Sequence, residues 1–161
     1  MIARALTLCL LLTAAPVTAQ QAAIEFGGLT QDTSLPVEVA ADNLDVSQTD
    51  GTAVFTGNVL VTQGEMKLSA DRIQVVYATG GQGRIRTLNA NGGVTLVNGS
   101  EAAEASEAVY DIDAGNVVMT GDVLLTQGQT ALSGNRLVID LTSGTGRMEG
   151  RVRTIFETSG R

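Results

Sequence analysis

Asp111 and Asp113 stand two positions apart in "DIDAGN", and paired carboxylates serve both general acid–base catalysis and calcium coordination. A calcium loop with that start needs further oxygen ligands and a closing bidentate glutamate, but the chain continues "VVMTG". The related stretch "VSQTDG" at 46–51 does not keep the spacing, so Asp, Gly and Asn here read as turn residues chosen for backbone conformation. Nucleophilic catalysis has no better footing. The chain has no histidine, its one cysteine is Cys9, and no Gly-x-Ser-x-Gly elbow occurs, so the usual nucleophile–base pairs cannot be assembled. No catalytic residue, metal ligand or cofactor site is assigned.

If no side chain carries chemistry, the elements themselves must carry the function. Met1–Ala19 runs from Arg4 through the apolar "ALTLCLLLTAA" to the small-residue site "VTA", the pattern of a cleaved secretory signal. The apolar run is shorter than the roughly 20 residues that span a bilayer. Leu8 before Cys9 is too bulky for a lipid-attachment box, and the chain after residue 19 contains no cysteine, so its fold must rest on an apolar core. The expected organisation is a leader at 1–19, a flexible segment at 20–34, a β domain at 35–156 and a tail at 157–161. Nineteen glycines, two prolines, no tryptophan and abundant Val, Thr, Leu and Ile favour short strands joined by glycine turns.

Those strands repeat. "TGNVLVTQG" at 56–64 returns as "TGDVLLTQG" at 120–128 with seven of nine positions identical. Gly-x-Val steps begin at Gly57, Gly92, Gly121 and Gly150, at intervals of 35, 29 and 29. A second marker interleaves: "ADNL" at Ala41, "ADRI" at Ala70, "ASEA" at Ala105 and "GNRL" at Gly134, at intervals of 29, 35 and 29. The six extra residues fall between Ala70 and Gly92, around the glycine-rich "ATGGQG". Four copies of a roughly 29-residue unit result, and what persists across them is glycine, small residues and alternating apolar positions. A duplicated active site would instead hold its reactive groups fixed. Units that cannot bury an apolar face alone must stack or roll together.

Period-two alternation assigns the faces. Phe55, Val59 and Val61 share one side of their strand, while Asn58, Leu60 and Thr62 share the other. Leu44 and Val46 fall on the apolar face of their own strand. By phase the interior holds Phe55, Val59, Val61, Ile73, Val75, Tyr77, Val94, Leu96, Tyr110, Ile112, Met119, Val123, Leu125, Leu137 and Ile139.

Charge is uneven. Residues 20–66 carry seven acids and no base; from Gly134 onward there are five bases against three acids. The net charge of −7 makes a poor nucleic-acid ligand, which would need a basic surface. Complementary ends, together with the open strand edges of a repeat stack, favour end-to-end association.

"PVEVAADNLDV", "AVFTGNVLVTQGEMKLSADRIQV" and "VVMTGDVLLTQGQTALSGNRLVID", in this order and spacing after a leader, resemble the OstA-like family over about Leu35 to Phe156. The resemblance implies an all-β, twisted jelly-roll-like slot of repeated antiparallel strands. Its apolar interior, the phase-assigned residues above, would bind the acyl chains of lipopolysaccharide in the periplasm. It further implies partners: lipopolysaccharide, further copies joined head to tail, and the inner- and outer-membrane components of the export machinery. A self-assembling scaffold without a lipid ligand, or an inner-membrane-anchored relative in the same system, are the competing readings. Because the net charge is acidic, the phosphorylated headgroup is expected to stay in solvent, with Arg84, Arg86, Arg147 and Arg151 as its local contacts. Reversing Arg151 and Arg153 to Glu is expected to weaken self-association at low salt; unchanged assembly by sedimentation would refute the charge argument.

Overall fold

A glycine in the middle of a strand weakens it unless the backbone must turn there or another group comes close. Gly57, Gly92, Gly121 and Gly150 all meet both conditions. Their φ angles are 81°, 84°, 85° and 78°, and the residues that follow, Asn58, Gly93, Asp122 and Arg151, are left-handed as well, at 48°, 66°, 48° and 48°. A β-carbon on Gly57 would lie 2.6 Å from Asp42 Oδ2, on Gly92 2.7 Å from Asp71 Cβ, on Gly121 2.7 Å from Ser106 Oγ, and on Gly150 2.8 Å from Asn135 Cβ. The two interleaved sequence markers are thus one device: the residue after each Ala or Gly of the second marker is seated on a glycine of the first. Backbone bonds from Asp42 N to Gly57 O (2.9 Å) and Asn135 N to Gly150 O (3.1 Å) tie the outer seats together.

The structure, a computed structural model, describes residues 24–25, 29–80 and 83–156. The leader at 1–19 and the tail at 157–161 lie outside the described residues. Eleven strands follow one another: β1 Ile24–Glu25, β2 Glu38–Ala40, β3 Asn43–Ser47, β4 Thr52–Gln63, β5 Met66–Tyr77, β6 Ile85–Asn98, β7 Glu101–Asp111, β8 Asn116–Gln127, β9 Thr130–Asp140, β10 Thr145–Glu149 and β11 Arg153–Phe156. All pairings are antiparallel, in the order β1-β10-β9-β8-β7-β6-β5-β4-β2, with β3 also on β4 and β11 also on β9. The six-residue insertion lies in the β5–β6 connection, as the glycine-rich stretch suggested.

The expected short strands are the halves of longer, bent ones. Register shifts interrupt every pairing from β4 to β9 at the glycine positions, between Thr56 and Val59, Ser69 and Arg72, Asn91 and Val94, Glu104 and Glu107, and Thr120 and Val123. Such bulges bend a strand sharply. Aligned across the sheet, they crease it along one spine into two arms. The first arm holds β2, the halves of β4 to β9 near Val59, Leu68, Leu96, Ala103, Leu125 and Leu132, and β11. The second holds β3, the other halves and β10. Their inner faces close on one apolar cluster that includes Val61, Leu68, Leu88, Tyr110, Met119 and Leu137.

Gly121→Ala is expected to cost about 3 kcal/mol, combining left-handed strain with overlap on Ser106. Gly128→Ala, at φ 57° with nothing within 4 Å, is expected to cost about 1 kcal/mol by urea unfolding.

Candidate functional site

Residues directly opposite in an antiparallel pair point to the same side, so the register assembles inner-face rows across the strands. On the first arm one row is Val39, Val61, Leu68, Leu96, Ala103, Leu125 and Leu132, apolar at every step. Its six steps of ~4.8 Å make a stripe of about 29 Å. On the second arm two rows face it: Leu44, Phe55, Ile73, Ala90, Ala108, Met119, Leu137 and Met148, then Val46, Ala53, Val75, Leu88, Tyr110, Val117 and Ile139. Small residues collect beside the spine, as at Ala70, Ala90, Ala105 and Ala108, where the arms converge and leave little room.

Twelve of the fifteen residues assigned to the interior are at most 1% exposed, while Phe55, Tyr77 and Ile112 are partly buried and packed on the core. The alternation also carries Met66, Leu68, Leu88, Val117 and Leu132 inside. Leu44 and Val46 lie on the interior side, in keeping with their apolar phase, but they are not covered. They point to the interior side, opposite Phe55 and Ala53, yet are 53% and 64% exposed because β3 is the last strand and nothing packs beyond it. At the other edge Phe156 is 70% exposed. The apolar interior therefore runs out to both ends of the slot.

Opposite the spine the tips of the two arms meet along a seam, and residues 29–37 cross it. Part of this stretch was expected to be flexible, but Leu29 is buried and Gln31 N donates to Leu141 O on the second arm at 3.0 Å. Gln31 Nε2 also donates to Gln63 O on the first arm at 2.8 Å. Gln63, 1% exposed, returns its own Nε2 to Thr33 O (3.0 Å) and Leu35 O (2.9 Å). Its Oε1 accepts from Tyr110 Oη at 2.7 Å, joining the arms across the interior. Burial pushes the Tyr110 phenol up to about 12, so it stays a donor at neutral pH. In the strap itself, the Ser34 hydroxyl and then the Ser34 amide hold the Asp32 carboxyl below its usual range.

An inward-facing polar row was not foreseen. Gln63, Asn98 and Gln127 each precede a hairpin glycine, in "TQG", "VNG" and "TQG", and Glu101 pairs with both Asn98 and Gln127. The signal was present in the sequence, as an amide kept at the same place in three copies.

The four arginines expected at the headgroup do not converge. Arg84 pairs with Asp113 at a cavity of about 550 Å³ between strap residues 33–37 and the tips of the second arm, and Arg86 lies exposed nearby on β6. Arg147 Nε contacts Glu149 at 2.8 Å, as does Arg136. The Arg136 hydrogen bond, reinforced by Arg147, holds Glu149 below the usual carboxylate range. Arg151 is exposed at the last bend. β6 and β10 are four strand steps apart, about 19 Å.

Residues 38–145 match the family described as "LptA/(LptD N-terminal domain) LPS transport protein". An uncharacterised protein of Rhizobium meliloti (strain 1021) is 27% identical over 93% of this chain and 86% of its own length. The lipopolysaccharide export system protein LptA of Escherichia coli (strain K12) is 30% identical over 72% of this chain, which spans 65% of that relative. The crystal structure of LptH, described as the LptA-homologous periplasmic component of the lipopolysaccharide transport device of Pseudomonas aeruginosa, superposes with a TM-score of 0.71. That match covers 80% of this chain and 99% of LptH at 18% identity, a likeness of fold.

Gln63→Leu leaves the Tyr110 hydroxyl and two strap carbonyls without their partner. It is expected to lower stability by about 3 kcal/mol and to open residues 29–37 to proteolysis; unchanged protease resistance would show that the strap is held by other contacts.

Proposed function

Because this chain belongs to the LptA/(LptD N-terminal domain) family of LPS transport proteins, we propose that it carries lipopolysaccharide across the periplasm, sheltering the acyl chains between its two arms. The observation that carries this reading is the unbroken apolar stripe from Val39 to Leu132. At about 29 Å it exceeds the ~15 Å acyl layer of one leaflet, so chains can lie along it without meeting a polar strand. Each methylene kept from water is worth about 0.8 kcal/mol, which a carrier must supply throughout transit. The side chains of the two arms now contact one another, so a lipid enters by exchanging those contacts for its own. That exchange replaces apolar contact with apolar contact. The fifteen interior residues named from the sequence are the proposed lining, and we read Arg84 and Arg86, near the tips of the second arm, as contacts for a phosphorylated headgroup that emerges at the seam.

The exposed inner-phase side chains at both edges, Leu44 and Val46 on β3 and Phe156 on β11, support end-to-end joining of copies. Strand addition there would cover them and make one slot continuous with the next. The edge at β2 and β3 carries Glu38, Asp42 and Asp45, and the opposite edge Arg151 and Arg153, a complementary pair of ends. Partners at the inner and outer membranes would extend the same slot. We place the export unit at 35–156, behind a leader at 1–19 that directs it to the periplasm. The role is transport, and no residue is assigned to catalysis.

A photoreactive residue at Val59 or Val123 is expected to capture lipopolysaccharide in cells with intact export, whereas one at Thr95 on the outer face is not. Failure at both inner positions, with no lipopolysaccharide co-purifying, would overturn the conduit in favour of a ligand-free scaffold.

A further inference from the structure

The inward amide row raises a question that the apolar stripe does not answer: why a lipid slot keeps an amide at the end of the first-arm half of β4, β6 and β8. The three amides are engaged differently. Gln63 gives its Nε2 to the strap, and Gln127 gives its Nε2 to Glu101 Oε1 at 2.7 Å. Asn98 is 2% exposed, and its Nδ2 has no hydrogen-bond partner. A buried donor without an acceptor is destabilising, and a leucine, branched at the same carbon, would satisfy the same alternation without that loss. Asn98 sits two residues beyond Leu96 on the inner face, so its amide lies about 7 Å further from the spine than the apolar stripe and next to the turn at the seam.

We propose that Asn98 Nδ2 is a recognition group for a neutral carbonyl oxygen, the acyl ester or amide linkage of the transported amphiphile. This rests on the conduit reading above. The strata of an amphiphile match those of the slot. Chains lie against Leu96, Ala103 and Leu125, the carbonyls that join them to the headgroup reach the amide, and the headgroup stands outside the seam. The acceptor is neutral because Glu101 is the cross-strand neighbour of Asn98 and disfavours an anion there. A donor that is satisfied only when the linkage reaches it would distinguish a seated acyl lipid from a bare hydrocarbon chain.

The test uses the full chain, titrated with a short-chain diacyl phosphatidic acid and with the dialkyl ether analogue of equal chain length, which lacks the carbonyls. The ester compound is expected to bind about tenfold tighter and to shift the Asn98 side-chain amide resonance. Asn98→Leu is expected to bring the ester-to-ether ratio close to one without lowering the melting temperature. Gln127→Leu, whose nitrogen is already bonded, is expected to keep the ratio. A ratio near one in the parent protein, or a ratio that survives Asn98→Leu, overturns the assignment. If Val59 and Val123 probes still capture lipopolysaccharide in that case, the Asn98 assignment alone falls. If neither compound binds and those probes capture nothing, the conduit reading falls with it.

Discussion

The seating of a side chain on a left-handed glycine is the constraint on which the rest of this structure depends. Without the bends at Gly57, Gly92, Gly121 and Gly150, β4 to β9 would form an open antiparallel sheet with one apolar face in water. With them, the same strands crease along a common spine and each arm becomes the cover of the other. The seat has to recur on every second strand, because one unbent strand would hold its neighbours apart through the ladder hydrogen bonds. This is why the repeated unit spans about two strands, and why the insertion lies in a turn and leaves the bends untouched.

Creasing a sheet solves burial along its length and leaves it unsolved at the ends. Edge strands expose both hydrogen-bonding groups and, here, inner-phase side chains such as Leu44, Val46 and Phe156. A monomer built to stand alone would blunt these edges. Leaving them apolar and oppositely charged suits a unit that is continued by another, and the geometry that makes an efficient two-armed core is also the one that makes an extendable channel.

The seam is the third consequence. Two arms joined only at the spine can part at their tips, and the contacts that hold them there are polar: Gln31, Gln63 and Tyr110 across the opening. Hydrogen bonds are directional and few, so they can be given up one at a time, whereas the spine is covalent backbone. On the proposed function, opening for cargo is confined to the side where the headgroup must remain wet.

Much of this was legible beforehand. Val59, Val61, Val123 and Leu125 could be placed inside because alternation is a property of the extended chain itself. Glycine spacing showed the repeat because only glycine tolerates those backbone angles in such close quarters. The sequence alone determined the all-β class, the four-copy unit and the apolar face. Tertiary structure alone decided what those faces meet. The seating of Asp42, Asp71, Ser106 and Asn135 on partner glycines, the exposure of Leu44 and Val46 and the strap at residues 29–37 all depend on which segments come together across the crease. Those contacts join residues as far apart in the chain as Gln31 and Leu141, and no local periodicity encodes a distance of that kind.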